Sequence, residues 1–470
     1  SLLYYTRGSQ MFANRNEELA ILNDTLESGR AEFVIIYGRR RVGKTELLKR
    51  IVTGKDNAVY LLGRSEAPQD MLRRFSQLIA DKLDDRKLAR FPFKSLDEMF
   101  YYVNERRNII LMLDEFPFMV SSEPGLLSIM QDYWDNHLKT TNTKLFVCGS
   151  SMGMVERLLF DYSSPIYGRR TKQLKIEPLR FPALTQFFPK SDFDELHKIY
   201  SVLGGTPAYL LEYEDDILTT IRRKFLRKDQ FLHKDAEFVL RAELREPRYY
   251  FSIIRSIASG NTSLGRIMND TGLSKDVASK YVATLQDLDI IRRVWPVTER
   301  PNTRKGIYKI KDNYFRFYFR FIFPNLEYVE MGEIDYLMEK IELELPMYLG
   351  RTMEDLIIEV VKKHHDILPF KPTKVGKWWH KEEEIDLVAI NERSDEILFC
   401  EVKSTGEKIG IAVQNDLIRK AKMVKWGTKN KKRKEYYMLI SKSGFKENID
   451  GAICIKAQEF IEMNLSTDDK

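Results

Sequence analysis

The octapeptide Gly38-Arg39-Arg40-Arg41-Val42-Gly43-Lys44-Thr45 fits the pattern GxxxxGK[ST], and that pattern leaves the chain around it little freedom. Its glycines let backbone N–H groups curl around phosphate, Lys44 reaches the outer phosphates, and Thr45 offers a hydroxyl to magnesium. Such a loop works between a strand and a helix, because the helix N-terminus is itself an anion site. The apolar run Phe33-Val34-Ile35-Ile36-Tyr37 before it and the stretch Lys44 to Ile51 after it supply both. Three more nearly continuous apolar runs, Ala58 to Leu62, Ile109 to Leu113 and Lys144 to Cys148, read as parallel strands covered on both faces. An α/β unit is therefore predicted from residue 11 to 210, with ATP and Mg²⁺ held by Gly38 to Thr45 and the following Glu46.

The run Ile109 to Leu113 ends in Asp114-Glu115. Asp114, at the C-terminal tip of that strand, is expected to hold magnesium together with Thr45. Glu115 is left to orient and deprotonate the attacking water, and Glu directly after Asp argues for hydrolysis over binding alone. Ser150, just beyond the strand Leu145 to Cys148, is placed to sense the γ-phosphate.

The chain has 470 residues, more than one hydrophobic core normally serves, so several domains are expected. No run of about 18 apolar residues offers a membrane span. Ser1 to Gln10, ahead of Met11, lack the apolar core and cleavage site of a signal peptide and are set aside from the fold. Cys148, Cys400 and Cys454 form no CxxC pair, and six histidines show no zinc spacing. A reducing cytoplasm is the natural reading. A net charge of +7 permits nucleic-acid binding without demanding it, so its distribution matters more than its total.

Ser263 to Arg293 reads helix, turn, helix. Leu264, Ile267 and Met268 give a first apolar face, Gly272 suits a positive φ in the turn, and Ser274 is placed to cap a second helix carrying Val277, Tyr281, Leu285 and Leu288. Two short strands then flank Arg300 to Gly306, a wing whose Arg300, Arg304 and Lys305, with Lys275 and Lys280, would meet phosphates. The aromatic stripe Tyr314 to Phe321 falls on every face of a helix and is expected to be buried.

In the last third, a helix from Gly350 to Lys363 carries Glu354 beside its apolar stripe. Glu384 to Ile390 and Ile397 to Lys403 follow as strands, and a hairpin symmetric about Arg393 and Ser394 sets Asp386 opposite Glu401. Facing carboxylates are unfavourable unless a cation sits between them. Alternation puts Lys403 on the face of Glu401, which gives a magnesium site with an ammonium beside it, suited to activating water and stabilising a pentavalent phosphate. Arg419, Lys420, Lys422, Lys425 and the run Lys429 to Lys434 lie just beyond and suit a phosphate backbone.

The nucleotide motifs resemble an archaeal branch of the AAA+/STAND ATPases. The likeness extends to Phe12-Ala13-Asn14-Arg15-Asn16-Glu17-Glu18-Leu19, Tyr167-Gly168-Arg169-Arg170 and Gly204-Gly205-Thr206-Pro207-Ala208-Tyr209-Leu210. It implies that Arg169 or Arg170 approaches the γ-phosphate as an arginine finger, and that the Gly-Gly-x-Pro element belongs to a lid. The C-terminal pattern resembles the PD-(D/E)XK nuclease superfamily, which cuts phosphodiesters with Mg²⁺. By that resemblance Asp386 and Glu401 hold metal, Lys403 assists the nucleophile, Glu354 is an outlying acidic ligand, and Gln414 supports the site or the substrate. The lead-in Gly376-Lys377-Trp378-Trp379 also resembles the domain that ATPases of this branch carry.

The expected architecture is a P-loop (ASCE/AAA+-like) parallel-sheet ATPase domain at 11–210, a helical lid and winged-helix unit at 211–325, and a restriction-endonuclease-like α/β domain at 345–465. The expected activity is that of an ATP-regulated, Mg²⁺-dependent DNA nuclease. The alternative is a STAND-like nucleotide switch that binds DNA or a partner without cutting. DNA is the expected partner, with homo-oligomers on ATP binding and no membrane contact.

Overall fold

In the computed structural model, residues 14–244, 246–364, 367–427 and 433–465 are described. Phe12 and Ala13 of the motif before the P-loop, and Lys429, Lys431 and Lys432 of the lysine run, lie outside them.

Five parallel strands form the first sheet: β1 (Glu32–Tyr37), β2 (Ala58–Leu62), β3 (Ile110–Asp114), β4 (Lys144–Gly149) and β5 (Lys172–Lys175), in the order β2-β3-β4-β1-β5. The α/β P-loop ATPase fold follows, with β4 inserted between the P-loop strand and β3. Alternation divides β1 between two cores: Phe33 and Ile35 pack on one face, Val34 and Ile36 on the other. Both faces are therefore covered, and the loops at the C-terminal strand edge are what remain for chemistry.

Downstream of the sheet the chain is helical. Helices Leu264–Thr271 and Lys275–Asp287 precede an antiparallel pair, β6 (Ile291–Val294) and β7 (Ile307–Ile310), the element order expected of a winged helix. Gly272 closes the first helix at φ 69°. Ser263 caps it by accepting from Arg266 N–H, whereas Ser274 holds the N-cap position of the second helix without a side-chain bond. Val277 is exposed instead of joining the apolar face. The aromatic stripe is buried: Tyr314, Phe315, Phe317, Tyr318, Phe319 and Phe321 belong to one core shared by the lid, the middle unit and the long helix that follows.

That helix, Ile334–Lys363, is longer than the sequence suggests. It starts well before Gly350, runs through residue 345 and carries Pro346 in its interior, where the loss of one N–H donor bends a helix but need not end it. It packs on a second five-stranded sheet of β8 (Lys374–His380), β9 (Glu383–Asn391), β10 (Glu396–Lys403), β11 (Lys434–Ser441) and β12 (Ile453–Lys456), ordered β12-β11-β10-β9-β8. The strands β8, β9 and β10 form an antiparallel meander; helix Ile411–Ala421 then crosses to β11, parallel to β10. This is a mixed α/β unit.

Candidate functional site

The P-loop leaves β1 through Gly38, whose φ is 151°; a Cβ there would lie 2.2 Å from the Ile176 carbonyl oxygen, so only glycine fits. Arg41 and Gly43 also hold positive φ, 72° and 95°, and Gly43 caps helix Lys44–Val52. Glu46 lies in the first turn of that helix, and Val42 is buried beneath the loop. The Lys44 ammonium folds back to donate to the Gly38 and Arg39 carbonyls, each at 2.7 Å. Burial lowers its pKa, while Cys148, Glu115 and Asp114 pull the other way.

Thr45 Oγ1 donates to Asp114 Oδ2 at 2.8 Å, and Tyr60 O–H to the same oxygen at 2.6 Å. Burial and that carboxylate push the Tyr60 phenol well up, so it stays a donor. Glu115, at φ 50°, turns its carboxylate onto Ser150 Oγ, at 2.6 and 2.8 Å from its two oxygens. One edge of the sheet thus gathers Lys44, Thr45, Asp114, Glu115 and Ser150. Sequence reading missed Tyr60, whose strand shows only an apolar run.

The loop arginines reach outward. Arg39 lies 3.3 Å from Asp312 and stacks on Phe315 at 4.3 Å. Arg41 pairs with Asp235 and stacks on Phe231 at 4.4 Å. Arg40 lines a small pocket with Glu243, Met152 and Phe315. All three thereby face the helices that follow the sheet. The finger candidates are held elsewhere: Arg169 Nε and an Nη pair with Asp135 at 2.9 and 2.8 Å, and Arg170 donates to Gln173 at 2.8 Å while stacking on Phe160. Within one chain these contacts engage neither arginine with the P-loop.

In the C-terminal unit, β9 and β10 pair with Leu387 opposite Cys400, the register that brings Asp386 beside Glu401. Asp386 is buried and accepts from Val402 N–H at 2.9 Å. Burial, then the charges of Glu354 and Glu401, raise its pKa to about 7. Carboxylate oxygens of Glu354, Glu384 and Asp386 lie within 4.8 Å of one another. Such an all-oxygen set suits a hard divalent cation. Lys377 Nζ stands among them, bonded to Glu354 and, at 2.9 Å, to Glu384.

Glu401 is buried too, but its carboxylate is turned to two ammonium groups, Lys403 at 2.7 Å and Lys420 at 3.3 Å. The expected pairing of Glu401 with Lys403 on one strand face is present; the closest carboxylate trio uses Glu384 in its place. Glu384 stands two residues before Asp386 on a strand, so alternation alone would have placed both on one face. Gln414 donates its amide N–H to the Asp450 carbonyl at 2.8 Å. Arg419 is paired with Glu383 and Asp416, and Lys420 with Glu401 and Asp416; Lys422 and Lys425 are exposed. The carboxylates line a cleft of about 640 Å³ together with Tyr308, Lys309, Arg316 and Arg320. Among the described residues no helix is long and apolar enough to cross a membrane.

A family described as "ATPase domain predominantly from Archaea" matches residues 12–213. A second, described as "Archaea bacterial proteins of unknown function", matches residues 318–415. The uncharacterized protein MJECL04 of Methanocaldococcus jannaschii is 37% identical over 447 residues, spanning 94% of this chain and 98% of that protein. A second protein of the same organism is 23% identical over 319 residues, 61% of each chain. Among solved structures, the Walker-type ATPase PABY2304 of Pyrococcus abyssi is 20% identical with a TM-score of 0.48, over 66% of this chain and 96% of that one. The Aeropyrum pernix ORC2 protein is 13% identical with a TM-score of 0.44, over 72% and 97%.

Proposed function

Because this chain belongs to the archaeal ATPase family of its M. jannaschii relative, with the ATPase domain at residues 12–213, we propose that ATP turnover governs phosphodiester cleavage of DNA at its C-terminal cluster. At the P-loop, Lys44 gives up its two carbonyl partners to meet the outer phosphates, and the backbone N–H groups of Gly38 to Thr45 receive the rest. Thr45 and Asp114 would hold Mg²⁺, which neutralises phosphate charge. Glu115 orients and deprotonates the attacking water, and Ser150 keeps that carboxylate aimed until the γ-phosphate arrives.

The observation that carries the cleavage reading is the convergence of Glu354, Glu384 and Asp386 within 4.8 Å on one cleft wall, with the Glu401–Lys403 pair beside them. The order of helix, three-stranded meander, crossing helix and parallel strand supports a PD-(D/E)XK-like fold for this unit, and the second and third strands of the meander carry the acidic and lysine positions. Asp386, Glu354 and Glu384, with Glu401 beside Asp386 as a further acidic ligand, would hold a divalent ion that sharpens water as a nucleophile and offsets charge on the phosphate. Lys403, one-third exposed, takes up negative charge on the attacked phosphate. The exposed Lys422 and Lys425 favour a polyanionic substrate.

The test is cleavage of plasmid and single-stranded DNA with Mg²⁺ or Mn²⁺, with and without ATP. Cuts that vanish in Glu401→Ala and Asp386→Asn but persist in Lys44→Ala, altered only in their ATP response, are expected. Absence of metal-dependent cutting under every condition would turn the balance to a second reading, a nucleotide switch. The ion pairs of Arg39 and Arg41 with Asp312 and Asp235 favour that reading, since nucleotide in the loop would be felt directly by the helices beyond it. Sizing with ADP and with a slowly hydrolysed ATP analogue tests it, along with the expected oligomer.

A further inference from the structure

Lys377 has one backbone and two kinds of partner. Its side chain, 10% exposed, is bonded to Glu354 and Glu384. It therefore stands where a cation belongs, among three carboxylates that repel one another without it. Its place is fixed by an irregularity in the sheet. Gly376 pairs with Val388 and Trp378 with Ile385, so Asp386 and Leu387 together oppose the single residue Lys377. A bulge of this kind re-aims side chains, and here it brings Lys377 and Asp386 to one cluster.

The same bulge is gripped from the middle unit. The segment between β6 and β7 sends Val297 N–H to the Lys377 carbonyl at 2.9 Å, and its Lys305 carbonyl accepts from Trp379 Nε1 at 3.2 Å. Val297 is buried with Trp378 and Ile385 in the core of the C-terminal unit. This wing is thus docked against protein, and its hold fixes the backbone from which Lys377 reaches the carboxylates.

We infer that Lys377 is a tethered cation that competes with a divalent ion for the Glu354–Glu384–Asp386 cluster, and that the docked wing keeps it in place. The inference rests on reading that cluster as a metal site. An ammonium bonded to two of the three carboxylates and a divalent ion on the same oxygens repel each other, so metal enters as the lysine swings out on its flexible stem. Loosening the wing frees the bulge and shifts the competition toward metal.

The experiment uses the full chain without nucleotide and Mn²⁺ as the probe, followed by titration calorimetry and by thermal unfolding. Lys377→Met is expected to bind Mn²⁺ roughly tenfold or more tightly than the parent, at a site that Asp386→Asn removes. Its metal-free melting temperature should fall, and Mn²⁺ should raise it further than it raises the parent's. Lys377→Arg, which keeps the cation, should behave as the parent, and Trp379→Ala, which cuts one wing contact, should tighten Mn²⁺ binding with Lys377 intact. Equal or weaker binding in Lys377→Met, with Asp386→Asn still abolishing it, overturns the competition and leaves the metal site standing. Absence of any Asp386-dependent Mn²⁺ site in all variants overturns both. If Lys377→Met fails to fold, Trp379→Ala decides: unchanged affinity there overturns the inference.

Discussion

The Arg39 guanidinium lies 3.3 Å from the Asp312 carboxylate, tying the P-loop to the start of the buried aromatic helix. Asp312 serves both: one oxygen accepts from Tyr314 and Phe315 N–H at 2.9 and 3.3 Å, the other takes Arg39. Its removal therefore strips a helix cap and a half-sheltered ion pair at once. Asp312→Ala should cost about 2–4 kcal/mol in urea unfolding, and Asp312→Asn, which keeps the cap acceptor, roughly half that. Equal losses would show that the cap contributes nothing.

Glu115 and Ser150 make a separable pair. Glu115→Gln keeps size and polarity, so ATP affinity should hold while turnover falls about 100-fold or more, the range for losing a general base. Ser150→Ala frees the Glu115 carboxylate from its hydroxyl partner and should cost nearer tenfold, by misaiming a base that is still present. Nucleotide binding measured beside steady-state phosphate release distinguishes the two. Turnover at the parent rate in Glu115→Gln would place water activation elsewhere.

His197 sets a pH term. It is 3% exposed, with Thr352 Oγ1 3.2 Å from Nε2, and burial lowers its pKa from 6.5 to about 4. The folded state thus binds the proton less readily than the unfolded chain. Stability from this group is full above the unfolded value and is lost as pH falls from about 6.5 toward 4, by about 3 kcal/mol in all. Buried carboxyls with raised pKa, such as Glu243 and Glu359, slope the opposite way, so the measurable quantity is a difference. His197→Gln should flatten the urea midpoint between pH 7.5 and 4.5 relative to the parent, and parallel profiles would contradict the assignment.

What the sequence revealed was local. The P-loop, its flanking strand and helix, and the Asp114-Glu115 tip depend on a few consecutive residues, and the β9–β10 register follows from one symmetric turn. The Arg39–Asp312 pair spans 273 positions, and no periodicity in either segment announces it. Lys377 was visible only as part of a four-residue lead-in, because the bulge that aims it arises from how β8 meets β9. The long helix extends well before Gly350 and through Pro346, carried there by packing against the shared core that the residues alone do not display.

Asp355 stands next to Glu354 in sequence but serves a different purpose. It takes Lys309 of β7 at 2.8 Å and Arg316 at 2.9 Å, joining the long helix to the middle unit behind the carboxylate cluster. Burial would raise its pKa, yet Lys309, Arg316 and Lys377 hold it far below the usual carboxylate range. Asp355→Ala leaves two sheltered cations without this partner and should cost about 3–5 kcal/mol. Lys309 is already lowered by burial, so in the variant it can shed its proton more readily than Arg316. A lysine whose folded pKa is depressed regains stability as pH rises toward its unfolded value near 10.4. The deficit of Asp355→Ala, followed by urea unfolding, should therefore shrink between pH 7 and 9.5. ATP turnover should stay near the parent value in conditions where the variant is folded, since no P-loop group touches this triad. A deficit that is constant with pH would mean that Lys309 keeps its proton in the variant across this range.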